Sequence, residues 1–434
     1  MKNYLLELTE EEKDILEGKR GPLLAKVMET VVRFGQAFGA KRLVPLTGRP
    51  HLVTSFGANT IKPYYAILDR LISSGLRTYG EFTVDPRPLD YENVPVSLAE
   101  KILFKFIFGK QKDYEEQLRQ LGLKDDDAFT CTCYYPEVGN TPARGDVLAW
   151  SESSAVVFAN SVLGARTNRN SAGIDVMCNI IGRAPEYGFL TDEGRKATWV
   201  VELNLKKLPN AQLLGSAIGL KVVEEVPYIV GLSELLGTDL TDEVKDYLKD
   251  MGAASASNGA VGLYHVENLT PEARDFGRSL IKSGARVYEI DEFELERIYR
   301  SYPVLWKKPE ATPELCFVGC PHLSFQQLKG WVLLLVNELE KRGLSRLPIP
   351  VVLCAPPGVL KRFREEVPVD AGELRMKNIR LTYICPLMYM NNPLCAKKPV
   401  ITNSNKLRTY STARFYPDDE IIKVIFSTAG RKES

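Results

Sequence analysis

Apolar and polar positions along this chain follow two periods in turn. Helical spacing, with apolar residues three and four apart, runs through Ile15, and Thr9 with Glu12 three residues on forms a capping-box signature ahead of it. The same spacing recurs from about Pro22 to Phe38, from Ile61 to Ser74, from Val96 to Lys124 in two pieces, from Gln212 to Leu220, from Thr241 to Met251 and from Ser324 to Arg342. Short apolar runs predict strands at Lys41 to Leu46, Thr78 to Thr83, Thr198 to Leu203, Ala260 to His265, Leu315 to Gly319, Pro350 to Cys354, Ile379 to Ile384 and Ile421 to Phe426. Asp85 to Pro95 is Pro-rich and polar and predicts a loop. Strands alternating with helices predict a multi-domain, layered α/β protein. The charged, Pro-containing stretch Trp306 to Pro313 is the best linker, placing an N-terminal α/β region of two subdomains at 1–305 and a C-terminal α/β domain at 314–434. There is no internal repeat.

Composition narrows the class. The 434 residues are 44% hydrophobic and 26% charged, with a net charge of +1, so nothing draws the chain to nucleic acid or an anionic membrane. The chain opens Met1-Lys2-Asn3 and turns acidic at Glu10 to Glu12, without an apolar leader. The longest apolar run, Trp331 to Val336, is far too short to cross a bilayer. Eight cysteines without a leader read as reduced thiols or metal ligands. The expectation is a soluble, cytoplasmic protein.

Three of those cysteines sit in segments that read as exposed turns: Cys131 in Phe129-Thr130-Cys131-Thr132-Cys133, Cys320 in Val318-Gly319-Cys320-Pro321-His322, and Cys385 in Tyr383-Ile384-Cys385-Pro386. Backbone amides at such turns can hydrogen-bond the sulfurs of an iron–sulfur cluster, and three thiolates leave one iron open to a substrate. Cys320 also lies between a strand end and a helix start, where thiolate is favoured; a small core residue fits the same place equally well. Zinc at Cys131/Cys133 with Cys316/Cys320 is a further alternative, disfavoured by the single residue between the first pair. The densest polar segment, Gly145 to Arg169, puts Ser151-Glu152-Ser153-Ser154 before an apolar helix, where an anion could bind, and Arg166 and Arg169 beyond its far end, where guanidinium groups could fork a carboxylate or phosphate.

Taken together and in order, several motifs resemble the large, catalytic subunit of aconitase X, from about Leu8 to Tyr416. They are Trp150 to Arg169, the Cys131 turn with Tyr134-Tyr135, Arg183-Ala184-Pro185-Glu186-Tyr187-Gly188 with Asp192 to Lys196, Leu263-Tyr264-His265-Val266-Glu267, Gly319-Cys320-Pro321-His322 and Thr402-Asn403-Ser404. The resemblance implies an α/β fold of the aconitase superfamily lacking the swivelling domain. It implies a hydro-lyase acting on a small hydroxy acid such as mevalonate 5-phosphate or cis-3-hydroxy-L-proline. The implied cofactor is an iron–sulfur cluster, [4Fe-4S] or alternatively [2Fe-2S], on Cys131, Cys320 and Cys385, with Cys395 competing for the third place.

Catalytic roles then fall to Glu152, Ser153, Asn168, His265 and His322, and substrate contacts to Arg49, Arg166, Arg169 and Ser404. The chain ends soon after its last predicted strand, so a separate small swivelling-domain subunit carrying the general base is the expected partner, with no nucleic acid and no membrane. The loop Thr47-Gly48-Arg49-Pro50-His51, the segment around Cys385 and Cys133 depart from the family pattern, which leaves the substrate open and allows an uncharacterised subgroup. Arg49 and His51 could bind a phosphate or second carboxylate, or lie in a solvated loop. The alternative from another class is a non-catalytic, iron-sensing or RNA-binding relative, for which the near-neutral charge supplies no basic face.

Overall fold

The structure, a computed structural model, describes residues 5–53 and 62–428, so the predicted helix start at Ile61 lies outside the described residues. The helix itself runs Lys62–Ser73. The chain is α/β, with two larger all-parallel sheets among the described residues. In one, the strands lie in the order Ile281–Ile290, Ala197–Leu203, Pro227–Val230, His265–Val266. In the other, five strands lie in the order Ile379–Thr382, Val351–Cys354, Leu315–Val318, Val400–Thr402, Arg414–Phe415. The near-continuous apolar runs of the second sheet, such as Val351-Val352-Leu353, suit strands covered on both faces. Among the described residues no helix is long and apolar enough to cross a membrane.

The second sheet runs outward in both directions from its first strand, Leu315–Val318, and the chain switches side between that strand and Val400–Thr402. Open parallel sheets collect ligands beyond the carboxyl ends of strands at such a switch point. Cys320 leaves one of those two ends and Ser404 the other, and Cys385 follows the carboxyl end of Ile379–Thr382.

Cys131 arrives from a separate small sheet. Strand His51–Leu52 pairs in parallel with Thr83–Val84, and Val84 forms a further bridge to Phe129. The Thr130 N–H donates to the Val84 carbonyl at 2.8 Å, which points the Cys131 turn along this small sheet. Helices Pro22–Ala37, Lys62–Ser73, Gln111–Leu121 and Ala172–Ile181 bury apolar faces around it.

Three expectations change. Ile421 to Phe426 is not a strand but part of helix Asp418–Ser427. Its Asp418, Asp419 and Glu420 sit where a helix N-terminus favours negative charge, and Ile421, Ile422, Ile425 and Phe426 are buried at helical spacing. Thr78 to Thr83 and Ala260 to His265 shrink to the two-residue strands Thr83–Val84 and His265–Val266, their preceding segments being irregular.

Gly319 shapes the Cys320 turn. Its φ of +101° belongs to the region that L side chains rarely adopt, and a Cβ there would strike the Cys354 carbonyl oxygen of the neighbouring strand. Gly319→Ala is expected to lower unfolding stability by more than about 1 kcal/mol. Urea unfolding followed by tryptophan fluorescence measures this, and an unchanged midpoint would remove Gly319 from the support of the turn.

Candidate active site

The three cysteine turns are tied together by His322. Its backbone N–H donates to Cys131 Sγ at 3.4 Å. Its ring Nε2 lies 3.0 Å from the carbonyl of Ile384, the residue before Cys385; a carbonyl only accepts, so Nε2 carries the proton. Nδ1 is then an acceptor, and the hydroxyl of Thr130, the residue before Cys131, donates to it across 3.0 Å. Tyr135 Oη and Lys249 Nζ donate to the His322 carbonyl at 3.2 and 3.3 Å. Ser404 completes the scaffold: its hydroxyl donates to the Cys320 carbonyl and accepts the Leu407 N–H at 3.1 Å, capping helix Asn405–Tyr410.

The turns expected to be exposed are largely closed in: Cys131 and Cys320 are buried and Cys385 half-buried. Burial pushes each of the three thiols up to about 12. The thiols also act on one another, Cys320 raising Cys385, Cys131 raising Cys320 and Cys385 raising Cys131. Cys395 stands apart, its thiol donating to Glu100 Oε1 at 3.3 Å. Cys354, inside a predicted strand and so not singled out from sequence, is a fourth buried thiol on which Cys320, Cys385 and Cys131 all act.

Among the described residues no three His, Cys, Asp or Glu side chains close up tightly enough for a single metal ion. A cluster differs from one ion in spreading its thiolates around a cage. The donor set fits one: three thiols in turns, two of them buried and one half-buried, with Cys131 already accepting a backbone amide. Cys316, required by the zinc reading, lies within strand Leu315–Val318 with Asp418 as its charged neighbour.

Beside the thiols lies a buried ion pair, Lys406 Nζ with Glu152 Oε1. Glu152 is the N-cap of helix Ser153–Phe158, its Oε2 accepting from the Ala155 N–H and the Ser154 hydroxyl, both at 2.6 Å. The anion expected at this helix N-terminus is therefore the protein's own carboxylate. Burial alone would push the Glu152 carboxyl up, but Lys406, Ser154 and Ala155 outweigh it and hold it below its usual range. Burial likewise disfavours the Lys406 ammonium, yet Glu152, Cys320 and Cys131 together hold its pKa above the ordinary value. Lys406 escaped the sequence reading because a lone lysine in a short helix carries no pattern; its place directly behind Thr402-Asn403-Ser404 was the available signal.

The other expected residues divide. Asn168 spends its whole amide on the turn after Arg183–Pro185, Nδ2 donating to the Tyr187 carbonyl at 2.9 Å and Oδ1 accepting the Phe189 N–H at 2.8 Å. Arg166 holds the same turn, through Asp192 at 2.5 Å and the Leu190 carbonyl at 3.3 Å. His265 donates from Nε2 to the Arg195 carbonyl at 2.8 Å and lies 3.9 Å from Glu272, within a buried Arg195–Glu272 network rather than with the cysteines. Arg49 is exposed and donates to the Gly139 carbonyl at 3.1 Å. The Ser153 hydroxyl and the Arg169 guanidinium are half-buried and have no hydrogen-bond or ion-pair partner among the described residues.

Comparison with known proteins extends this picture. The family model described as Aconitase X first domain matches residues 5–193, and that of Aconitase X second domain residues 197–300. The phosphomevalonate dehydratase large subunit of Thermococcus kodakarensis is 32% identical over 350 residues, covering 80% of this chain and 81% of that one. The cis-3-hydroxy-L-proline dehydratase of Pseudomonas aeruginosa is 30% identical over 71% of this chain but only 51% of its own length. The crystal structure of the holo-form of Thermococcus kodakaraensis aconitase X superposes with a TM-score of 0.79 at 29% identity, over 96% of this chain and 99% of that one.

Lys406→Met should leave Glu152 as an uncompensated buried charge, a loss of about 3–5 kcal/mol at pH 8. Without Lys406, burial raises the folded-state pKa of Glu152 above its unfolded value, so the loss is present above that unfolded pKa and fades as pH falls. Denaturant unfolding of wild type and variant at pH 8 and pH 5 checks it; an equal difference at both pH values contradicts it.

Proposed function

The chain belongs to the aconitase X family, and from that premise we propose that it is the large subunit of an iron–sulfur hydro-lyase that removes water from a small 3-hydroxy carboxylic acid. Its relatives are dehydratases, and dehydration is the activity of this chain. Their two named substrates, phosphomevalonate and cis-3-hydroxy-L-proline, both carry a hydroxyl on the carbon β to a carboxylate. The proton lost with that hydroxyl is therefore α to the carboxylate. The observation that carries the reading is the convergence of three thiols, from turns nearly two hundred and more than sixty residues apart, around His322 and the Lys406–Glu152 pair.

Cys131, Cys320 and Cys385 are the residues that would hold the cluster, and Cys395, committed to Glu100, is not. When bound, such a cluster supplies a Lewis acid for the departing hydroxyl. The chain's own residues position the substrate. Arg169 is free to fork the carboxylate or a phosphate, whereas Arg166 is spent on Asp192. Ser153 offers a hydroxyl at the first turn of the Glu152-capped helix. Lys406 places a positive charge beside the thiols, which steadies both their thiolate forms and an incoming carboxylate. His322, Ser404 and Asn168 hold the walls, because each has its polar atoms already engaged.

The relatives named as large subunits support a small partner subunit, which would bring the general base to the substrate α carbon. Cys131 would belong to region 1–305 and the other two ligands to 314–434, so the site lies between the two regions. Eight unpaired thiols suit a cytoplasmic setting. [4Fe-4S] is the better fit to three protein ligands with one open iron, as reasoned from the three thiols. Nothing observed favours the RNA-binding alternative.

Anaerobic co-expression with the small subunit should give about two to four irons with matching sulfide per large subunit, and loss of water from mevalonate 5-phosphate or cis-3-hydroxy-L-proline, read as absorbance of the new conjugated double bond. Cys320→Ser and Cys385→Ser should lose both iron and turnover, while Cys395→Ser keeps them. Arg169→Met should raise KM at least about tenfold, worth about 1.4 kcal/mol, with iron unchanged. Retained iron and turnover in Cys385→Ser, with loss in Cys395→Ser, would reassign the third ligand.

A further inference from the structure

The three histidines differ in how their rings are held: His322 has both ring nitrogens hydrogen-bonded, and His265 has one, with Nδ1 facing Glu272 at 3.9 Å. His322 and His265 each donate from Nε2 to a carbonyl. His51 is completely buried, and its Nε2 has no hydrogen-bond partner among the described residues. The ring is held firmly on its other sides. Nδ1 lies 2.9 Å from Thr83 Oγ1 on the paired strand, and Thr83 Oγ1 is itself fixed by Asn140 Nδ2 at 2.8 Å. Trp150 packs edge-on against the imidazole, with ring centroids 5.5 Å apart, and is anchored by its Nε1 donating to the Arg49 carbonyl at 2.9 Å. Folded proteins seldom leave a buried ring nitrogen without a partner, and one so rigidly aimed points to a ligand that completes it.

Its surroundings identify the space it serves. The small sheet that carries His51 continues through Thr83–Val84 to Phe129 and so into the Cys131 turn, two strands away. The charged groups that act on the ring are Glu152 and Lys406, the same pair that acts on Cys131 and Cys320. Burial pushes the imidazole down to about 4, so it stays neutral at ordinary pH. Thr83 Oγ1 accepts from Asn140, and when its own proton goes to Nδ1 the ring proton sits on Nε2, the tautomer the proposal below uses.

We propose that His51 is a substrate-contacting residue whose Nε2–H donates to the carboxylate of the 3-hydroxy acid, opposite the ammonium of Lys406. This rests on the hydro-lyase reading, and it adds a contact that none of the family motifs quoted above contains. A neutral donor suits that place. It orients the carboxylate through a directed hydrogen bond without adding a second positive charge beside Lys406.

The test uses the complete iron-loaded complex with two substitutions. In His51→Asn the amide can reach the Nδ1 position and keep Thr83, but nothing replaces Nε2. In His51→Gln the amide reaches the Nε2 position. The expected result is wild-type iron content and visible spectrum in both variants, at least a tenfold rise in KM for His51→Asn, and recovery of most of that loss in His51→Gln. Calorimetric titration with 3-hydroxybutyrate as a small probe should give the same order of affinities without reference to turnover. If wild type dehydrates none of the hydroxy acids tried but binds the probe in that order, the dehydration reading fails and the contact stands. Wild-type affinity in His51→Asn, loss of iron in both variants, or no binding of the probe by wild type would each overturn the proposal.

Discussion

The cysteine centre depends on one neutral imidazole. Three irregular turns have no sheet or helix to hold them in register with one another, and His322 supplies the missing bonds. One ring nitrogen gives a proton to the turn before Cys385, the other takes one from the turn before Cys131, and the backbone between them leads directly from Cys320. That polarity requires a ring with one donor and one acceptor. Burial above all pushes the His322 pKa down to about 4, and Lys249 acts in the same direction, so the neutral ring is secured. Each bond contributes only about 1 kcal/mol net, but breaking one would leave a buried partner unsatisfied, which costs more.

Around this tie the electrostatics are arranged by Lys406. A buried ion pair adds little stability in itself, and removing one member is what costs. The value of Lys406 and Glu152 therefore lies in position. Glu152 satisfies the N-terminus of helix Ser153–Phe158 and fixes Lys406, and Lys406 then acts on three separate thiols from the neighbouring helix Asn405–Tyr410. The motif Thr402-Asn403-Ser404 is explained by the same geometry. Ser404 both starts that helix and holds the Cys320 carbonyl, so the lysine and the cysteine cannot drift apart.

Much of this was legible along the chain, for physical reasons that also mark its limits. The capping box at Thr9 and the helical periodicity behind Thr9 and from Ser324 are local, and they form as read. So do the buried runs Leu315–Val318, Val351–Cys354 and Ile379–Thr382. Ile421 to Phe426 was misread because β-branched residues favour strands, while tertiary burial at helical spacing decided the outcome. The strand Ile281–Ile290 escaped notice because its Lys282, Ser283, Gly284 and Arg286 give no apolar run; it is an edge strand paired on one side. The polar residues of the Trp150 to Arg169 segment find their partners far away in sequence. No spacing rule shows that Arg166 and Asn168 are occupied by the turn at 187–192 while Arg169 is not.

The three histidines sharpen that last point. In sequence, His265 and His322 stand in family-like motifs and His51 in a loop that departs from the family pattern, so the first two attract catalytic roles. Accounting for each ring nitrogen reverses the order. A histidine whose nitrogens both end on protein groups has its proton and its lone pair already assigned, and it can take part in chemistry only by breaking bonds that hold the fold. His322 is so assigned, between the cysteine turns, and His265 gives its Nε2 proton to the Arg195 carbonyl with Nδ1 facing Glu272. His51 keeps a buried Nε2 without a partner among the described residues, and the charged pair that acts on the thiols acts on its ring as well. Motifs mark what a family builds its site from; the unspent hydrogen bond marks where something else is meant to bind.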